Sequence, residues 1–353
     1  ATQPEKVYVS THKFSDFLIN DKLKQNILSH GYISPTPIQD QTIPLLLEGK
    51  DIVGLANTGT GKTAAFLIPL INKMYGNKNE KVLIIAPTRE LALQIDEECK
   101  LFSTGMNIYS ILCIGGTNIQ RQMYGLKRGP DIVIGTPGRL LDLKNRGSIN
   151  FANYNSIVLD EVDRMLDMGF IKDIKTIISY LPAVRQSLFF SATMPSNVRE
   201  VMDRFSRNAV TVSVKTQQAP ANIEQDVVST RGKAKIDTLH DLLIKKGFDK
   251  VLIFGKTKWG VEKLSEQLSA RGFSVSSLHS NKTQNQRKKV LQQFKESKVN
   301  IMLATDVASR GLDIDDITHV INYDLPDTYE EYLHRIGRTG RANKRGIALS
   351  FVD

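Results

Sequence analysis

Short apolar, β-favouring runs recur along this chain without polar alternation: "DIVGL" from Asp51, "KVLIIAP" from Lys81, "DIVIGTP" from Asp131, "SIVLDE" from Ser156 and "SLFFSAT" from Ser187. A strand that is apolar on both sides has to be covered on both sides. Helical patterns lie between these runs, so each strand is expected in a parallel sheet flanked by helices, the doubly wound α/β arrangement. The runs also echo one another. "KVLIIAPTR" (from Lys81) and "DIVIGTPGRLLD" (from Asp131) start 50 residues apart, as do "KVLIFGKTK" (from Lys250) and "NIMLATDVASRGLD" (from Asn300). "SIVLDE" and "HVINYD" follow in the same order. Equal spacing and order predict two copies of one architecture, against the alternative of chance likeness between buried strands.

A length of 353 residues fits two domains. The polar, aperiodic "KTQQAPANI" reads as the join. The expected division is residues 1–214, a linker at 215–222, and residues 223–353. The net charge of +10 points to a polyanionic partner such as nucleic acid, or only to a solvated basic surface. Two cysteines, Cys99 and Cys113, argue against a disulfide framework or a Cys-rich zinc site and for a reducing compartment. "AAFLIPLI" is too short to span a bilayer and contains Pro69. No secretory signal is evident, so a cytoplasmic location is expected, with a nuclear one left open and no membrane partner. The chain starts without Met and stops at "LSFVD", as a trimmed core would.

The strongest chemical motif is "ANTGTGKT", Ala56 to Thr63, set between a strand pattern and a helix pattern. That context suits a phosphate-binding loop. Thr58, Gly59, Thr60 and Gly61 would bring backbone N–H groups to phosphate oxygens at a helix N-terminus. Lys62 would reach the β- and γ-phosphates, and Thr63 a Mg²⁺ ion. A purely structural Gly-rich turn is the competing explanation, and Ala56 departs from the Gly that the general pattern has first.

Such a loop needs an acid at the end of a neighbouring strand. "IVLDEVDRML" supplies Asp160 for the metal and Glu161 to take a proton from water. By themselves the two acids would read as a helix cap and first-turn pair. The tetrapeptide Asp-Glu-Val-Asp also resembles a protease cleavage signal. In the second half, "HRIGRTGR" spaces Arg335, Arg338 and Arg341 so that the guanidinium groups lie together, on a helix or a tight turn. They would serve a transferring γ-phosphate, an RNA backbone, or simply a charged surface.

Together these residues resemble the DEAD-box RNA helicase family of superfamily 2, in motif order from Phe14 to Arg341. "GYISPTPIQ" is similar to the Q motif, which implies adenine recognition by Gln39 and stacking by Phe14. "PTRELALQ", Gly115-Gly116, "TPGR" and "SAT" look like motifs Ia, GG, Ib and III; "LIFGKTK", Gln284 with Arg287, "ATDVASRGLD" and "HRIGRTGR" look like the later motifs. The resemblance implies two tandem RecA-like domains, with ATP and Mg²⁺ as cofactors. Lys62 and Thr63 would hold phosphate and metal. Asp160 would act on the metal's water shell, and Glu161 would be the general base. Ser191 and Thr193 would couple hydrolysis to strand separation through Asp163. Asp313 would contact ribose, Arg338 and Arg341 would be arginine fingers, and His334 with Arg335 would link the γ-phosphate to the first domain's motifs.

RNA would be contacted by Pro87, Thr88, Arg89, Gly116, Thr136, Pro137 and Arg139 in the first half, and by Gln284, Arg287, Thr305 and Asp306 in the second. Phosphates and 2′-hydroxyls would take most contacts, so recognition should be sequence-tolerant. Val162 replaces the family's usual Ala, at about 1–3 kcal/mol if the site is overpacked, and Ser280 replaces a usual Gly.

The phosphate loop and the arginines lie in different halves, so turnover is expected to need closure, with RNA and ATP strengthening each other's binding. The expected activity is RNA-stimulated ATP hydrolysis coupled to unwinding of short duplexes or remodelling of ribonucleoproteins by a monomeric core, with protein cofactors as further partners. An ATP-gated RNA clamp with little turnover is the alternative, and a P-loop protein acting on DNA or small molecules a third.

Overall fold

The structure is a computed structural model and describes residues 10–57, 59–214, 222–309, 314, 316–340 and 344–352. The chain divides into two compact units, Ala1–Lys215 and Thr216–Asp353. Of the expected linker, only Asn222 lies among the described residues.

In the first unit the strands are β1 (Ile52–Leu55), β2 (Val82–Ile85), β3 (Ser110–Cys113), β4 (Ile132–Gly135), β5 (Ser156–Leu159), β6 (Gln186–Ser191) and β7 (Val210–Ser213). They form one sheet in the order β3-β4-β2-β5-β6-β1-β7, and every neighbouring pair is parallel. The side chains of β2 show why the strand is apolar throughout. Val82 and Ile84 enter one apolar cluster with Phe66, Ile95 and Phe102. Leu83 and Ile85 enter another, on the opposite face, with Leu140, Ile174 and Phe189. A polar residue on either face would lose water without gaining a partner.

The second unit contains β8 (Ile223–Ser229), β9 (Val251–Phe254), β10 (Val275–Leu278), β11 (Ile301–Ala304), β12 (His319–Asn322) and β13 (Gly346–Val352). Their order is β10-β11-β9-β12-β13-β8, again parallel throughout. Pairing β2 with β9, β3 with β10, β4 with β11 and β5 with β12 reproduces the same spatial order in both units. The repeat seen in the sequence is therefore a repeat of topology.

Because all strands in a sheet run one way, the loops after them collect at one edge, where open α/β sheets bind ligands. Among the described residues, no helix is long and apolar enough to cross a membrane.

Both cysteines are fully enclosed, and burial pushes each thiol up to about 12. Almost no thiolate then exists at neutral pH. Iodoacetamide is expected to leave Cys99 and Cys113 unmodified in the folded protein and to alkylate both in denaturant. Mass spectrometry of the two reactions checks this; native labelling at either position would show that the first unit opens locally.

Candidate nucleotide and nucleic-acid sites

The edge of the first sheet separates by strand order into two halves. The loops after β5, β6 and β1, adjacent strands, carry the acidic tetrapeptide, "SAT" and the phosphate-loop motif. The loops after β3, β4 and β2, also adjacent, carry Gly115-Gly116, "TPGR" and "PTR".

The phosphate loop leaves β1 at Ala56, whose N–H donates to the Ser191 carbonyl (3.0 Å). Thr58 lies outside the described residues. Gly59 and Gly61 have φ of +79° and +86°, a region L-residues rarely adopt, and a Cβ on Gly61 would collide with the Gln39 amide. Ala56 is not among the positive-φ residues, so that position does not need glycine. Helix Lys62–Gly76 starts directly after Gly61. Lys62 is buried, and its Nζ donates to the Ala56 carbonyl (2.9 Å), folded into the loop it would have to leave to meet a phosphate. Thr63, next to it, is partly exposed at the helix start.

Gln39 does something its motif did not announce. Its Oε1 accepts from Thr36 N (2.9 Å) and its Nε2 donates to the Gly61 carbonyl (3.0 Å). Thr36 Oγ1 in turn donates to the carbonyl of Thr60 (2.7 Å). The "PTPIQ" segment therefore clamps the phosphate loop from beneath. The expectation for Phe14 is corrected. Its ring is 1% exposed and meets Phe17 and Tyr32 edge-on, so it is a core ring here and offers no open face to a purine. The segment before it is held by Asp40, whose carboxylate accepts from Thr11 N (2.8 Å), Thr11 Oγ1 (2.9 Å) and His12 N (3.1 Å). Sequence reasoning passed over Asp40, although it directly follows Gln39.

The acidic tetrapeptide is enclosed, with exposures of 2% for Asp160, 4% for Glu161, 0% for Val162 and 5% for Asp163. That rules out an accessible, extended cleavage site in the folded protein. Val162 packs in the apolar cluster with Leu159, Met165 and Ile174, where its methyl groups add apolar contact. Burial raises the Asp160 carboxyl to about 6; Lys62 opposes this, while Glu161 and Asp163 add to it. A hard cation would relieve that strain, so the donor chemistry fits one. Among the described residues no set of three or more His, Cys, Asp or Glu could hold an ion, so such a cation would rely on phosphate and water oxygens too.

Glu161 takes the left-handed conformation (φ +55°) before helix Val162–Asp167. Its Oε2 accepts from Arg164 Nη1 at 2.8 Å, and the two side chains are 5% and 1% exposed. Arg164 is a functional candidate missed in the sequence. Its i, i+3 spacing from Glu161 was the available signal.

Asp163 joins the acidic loop to "SAT". Its Oδ2 accepts from Ala192 N (3.0 Å), Thr193 N (2.8 Å) and Thr193 Oγ1 (3.0 Å). Its own N–H donates to Ser191 Oγ (3.3 Å), and that hydroxyl donates to the Thr193 carbonyl (2.7 Å). The expected coupling set of Asp163, Ser191 and Thr193 is brought together.

On the other half of the edge, Thr88 caps helix Arg89–Phe102 by accepting from Leu91 N (3.2 Å), and Pro137 opens helix Pro137–Asn145 after Thr136. Two helix N-termini thus stand at neighbouring strand ends, an arrangement that suits phosphate. A Cβ on Gly115 would lie 3.0 Å from Arg89 Nη2, so the glycine lets that guanidinium cover the loop. Gly116 is exposed. Arg139 Nη1 donates to Gln122 Oε1 (3.0 Å).

The second unit revises several assignments. Arg335 is 2% exposed and binds Asp306 through two bonds, Nε to Oδ1 (2.6 Å) and Nη2 to Oδ2 (2.7 Å), and donates to Asn322 Oδ1 (3.1 Å). It is a brace inside its own unit, not a group presented to a phosphate. Both Asp306 oxygens take part in that brace. Arg287 is buried, donates to the carbonyl of His279 (3.1 Å), and holds that loop; Gln284 is buried beside it. Arg338 is 3% exposed and His334 half-buried. Asp313 and Arg341 lie outside the described residues. Ser280 is exposed and is not among the positive-φ residues, so no glycine is required there.

A duplicated parallel α/β fold with a strand–GKT–helix loop and an acid at the end of β5, one strand removed from β1, defines a P-loop nucleotide-binding protein. The chain belongs to the DEAD-box helicase family. Residues 36–201 match the family described as DEAD/DEAH box helicase, and residues 234–343 match the helicase conserved C-terminal domain. It is 47% identical to the ATP-dependent RNA helicase CshA of Listeria monocytogenes over 97% of this chain and 66% of that protein. It is 44% identical to the DEAD-box ATP-dependent RNA helicase CshA of Geobacillus kaustophilus over 96% of this chain and 73% of that one. The chain thus spans about two thirds of the first of these relatives. The structure of S. cerevisiae Dbp5 bound to RNA and ADP BeF3 superposes with a TM-score of 0.87 at 30% identity, covering 96% of this chain and 89% of that one. The two sheets are the tandem RecA-like domains of that family.

Removing one member of a buried ion pair strands the other. Arg164→Met is expected to cost the first unit about 3–5 kcal/mol, and adding Glu161→Gln to return a large part of it. Denaturant unfolding of the four-member cycle measures this; strictly additive losses would show that the pair is not a unit.

Proposed function

We propose that this chain is an RNA-stimulated ATPase that uses turnover to unwind short RNA duplexes or remodel ribonucleoproteins. The observation that carries the reading is the hydrogen-bonded chain from the phosphate loop through Ser191 to Asp163, beside a second set of loops suited to an RNA backbone. The names of the helicase relatives and the RNA-bound Dbp5 structure support it.

In this reading Gly59, Thr60 and Gly61 receive phosphate oxygens, and Lys62 leaves the Ala56 carbonyl to pair with them. Mg²⁺, when bound, would neutralise charge on the β- and γ-phosphates. Thr63 and Asp160 would hold it, directly or through water. Glu161 holds the proton taken from the attacking water, and its carboxylate is aimed by Arg164. Asp163 passes a shift in the acidic loop to Thr193, because its Oδ2 accepts both that residue's N–H and its hydroxyl. Arg338 and Arg341 of the second unit would stabilise the transferring phosphoryl group.

The contacts offered to RNA are mainly backbone N–H groups and single arginines. Discrimination should therefore rest on phosphate and 2′-hydroxyl, with little reading of sequence. RNA should outcompete DNA of the same length.

Lys62→Ala is expected to reduce ATP hydrolysis to background. Glu161→Gln should keep ATP and RNA binding and lose turnover. Phosphate release measured with and without single-stranded RNA across salt concentration tests the reading, since phosphate contacts make the stimulation weaken steeply with salt. ATP hydrolysis indifferent to RNA would overturn it, and RNA-dependent binding with no unwinding would favour an ATP-gated clamp. Wild-type turnover by Glu161→Gln would remove that carboxylate from the base role.

A further inference from the structure

The repeated topology carries the first unit's nucleic-acid edge into the second unit. Strands β3, β4 and β2 lie side by side, and their counterparts β10, β11 and β9 lie side by side in the same order. The turns after β2 and β9 match in detail. Thr88 caps helix Arg89–Phe102, and Thr257 caps helix Lys258–Ala270 by accepting from Gly260 N (3.0 Å). Lys258 therefore stands where Arg89 does, and Trp259 where Glu90 does. Glu90 is 5% exposed, whereas Trp259, the chain's single tryptophan, is 71% exposed.

A large aromatic surface left in water at the edge expected to hold a ligand asks for something to cover it. Its surroundings favour an anionic chain carrying flat rings. Lys258 Nζ lies 5.7 Å from the indole centroid and donates to Asn281 Oδ1 (3.0 Å) on the loop that follows β10. Asn281 is neutral, so the ammonium keeps its charge uncompensated by that contact. The nearby acid, Glu262, is already engaged by His279 (2.9 Å) and Lys282 (3.5 Å).

We infer that Trp259 is a stacking platform for an unpaired base of RNA lying along the β9-β10-β11 edge, with Lys258 beside the adjoining phosphate. The indole face accepts any base, since every base has a π-face. A base inside a duplex has both faces covered by its neighbours, so the platform favours single strands. The platform would give the second unit a hold on the unpaired strand that phosphate contacts alone do not supply. The inference rests on the RNA reading above, and the experiment separates the two.

With one tryptophan in the chain, intrinsic fluorescence reports this position alone. The whole chain is titrated with a short fluorescein-labelled single-stranded oligouridylate for anisotropy, and with the unlabelled strand for tryptophan emission, both with a non-hydrolysable ATP analogue. Saturable quenching that follows the anisotropy curve is expected. Trp259→Ala should weaken RNA binding roughly tenfold, within the range that stacking one base contributes, while Trp259→Phe keeps most of it. Thermal melting of each variant should be unchanged, because the side chain is exposed. Binding by anisotropy with unaltered emission and an unweakened Trp259→Ala variant overturns the platform and leaves the RNA reading intact. Absence of any RNA binding by the unmodified chain overturns both.

Discussion

The carboxylate of Asp163 is the joint on which the nucleotide half of the first unit depends. It accepts the N–H groups of Ala192 and Thr193 and the Thr193 hydroxyl on one oxygen, and the N–H of Arg164 on the other (3.0 Å). Hydrogen bonds to a charged group each contribute about 1.5–3 kcal/mol, and a buried donor left without its partner costs a similar amount. The ends of β5 and β6 are thereby fixed to one another. Through the bond from Ala56 N to the Ser191 carbonyl, the end of β1 is fixed as well. The three loops proposed to meet a nucleotide are thus joined by shared donors and acceptors. A displacement of one loses bonds unless the others follow, and on the proposed reading this would couple phosphate chemistry to movement elsewhere.

Strand order does a second job. In a parallel sheet every loop after a strand reaches the same edge, and only lateral position separates one site from another. The order β3-β4-β2-β5-β6-β1-β7 places the acidic, "SAT" and phosphate loops together and the three basic or Gly-containing loops together, with β2 and β5 as the border. Asp160 N donates to the Ile85 carbonyl (3.0 Å) across that border, so Asp160 is tied to the end of β2, two residues before "PTR". No special adaptor is needed between the two halves, because they are adjacent turns of one sheet.

What the sequence made legible follows from burial. Strands enclosed on both faces, such as β2 and β4, contain no polar residue, so their positions, parallel pairing and duplication could be read directly. β8 was not among the apolar runs because it is an edge strand exposed along most of its length. The phosphate loop and the acids after β5 were legible because both are local: strand end, turn and helix start lie within a few residues. Partners far apart in the chain were not. Gln39 reaches Gly61 across 22 positions and Arg335 reaches Asp306 across 29. Phe14 looked free to stack because no local pattern shows that Phe17 and Tyr32 close around it. Local spacing did offer Glu161 and Arg164, but whether two opposite charges three positions apart meet in water or in the core is decided by neighbours the spacing does not contain.

The same limit applies to charge. A net +10 suggests a broadly basic face, yet Arg164, Arg287, Arg335 and Arg338 are 1%, 7%, 2% and 3% exposed. Burying a guanidinium is costly unless its N–H groups are met, and Arg287 and Arg335 meet theirs with loop carbonyls and, for Arg335, the Asp306 carboxylate. Arg287 and Arg335 thus shape the edge from within their own unit. The charge exposed to a polyanion is accordingly smaller than the formula suggests, and on the proposed reading the helix N-termini after Thr88 and Thr136 would add to the phosphate affinity. Backbone N–H groups are the same whatever the side chains, and phosphates are the same whatever the bases. On the proposed reading a surface built this way would grip any strand, and an exposed aromatic such as Trp259 would add affinity for unpaired RNA without introducing a sequence preference.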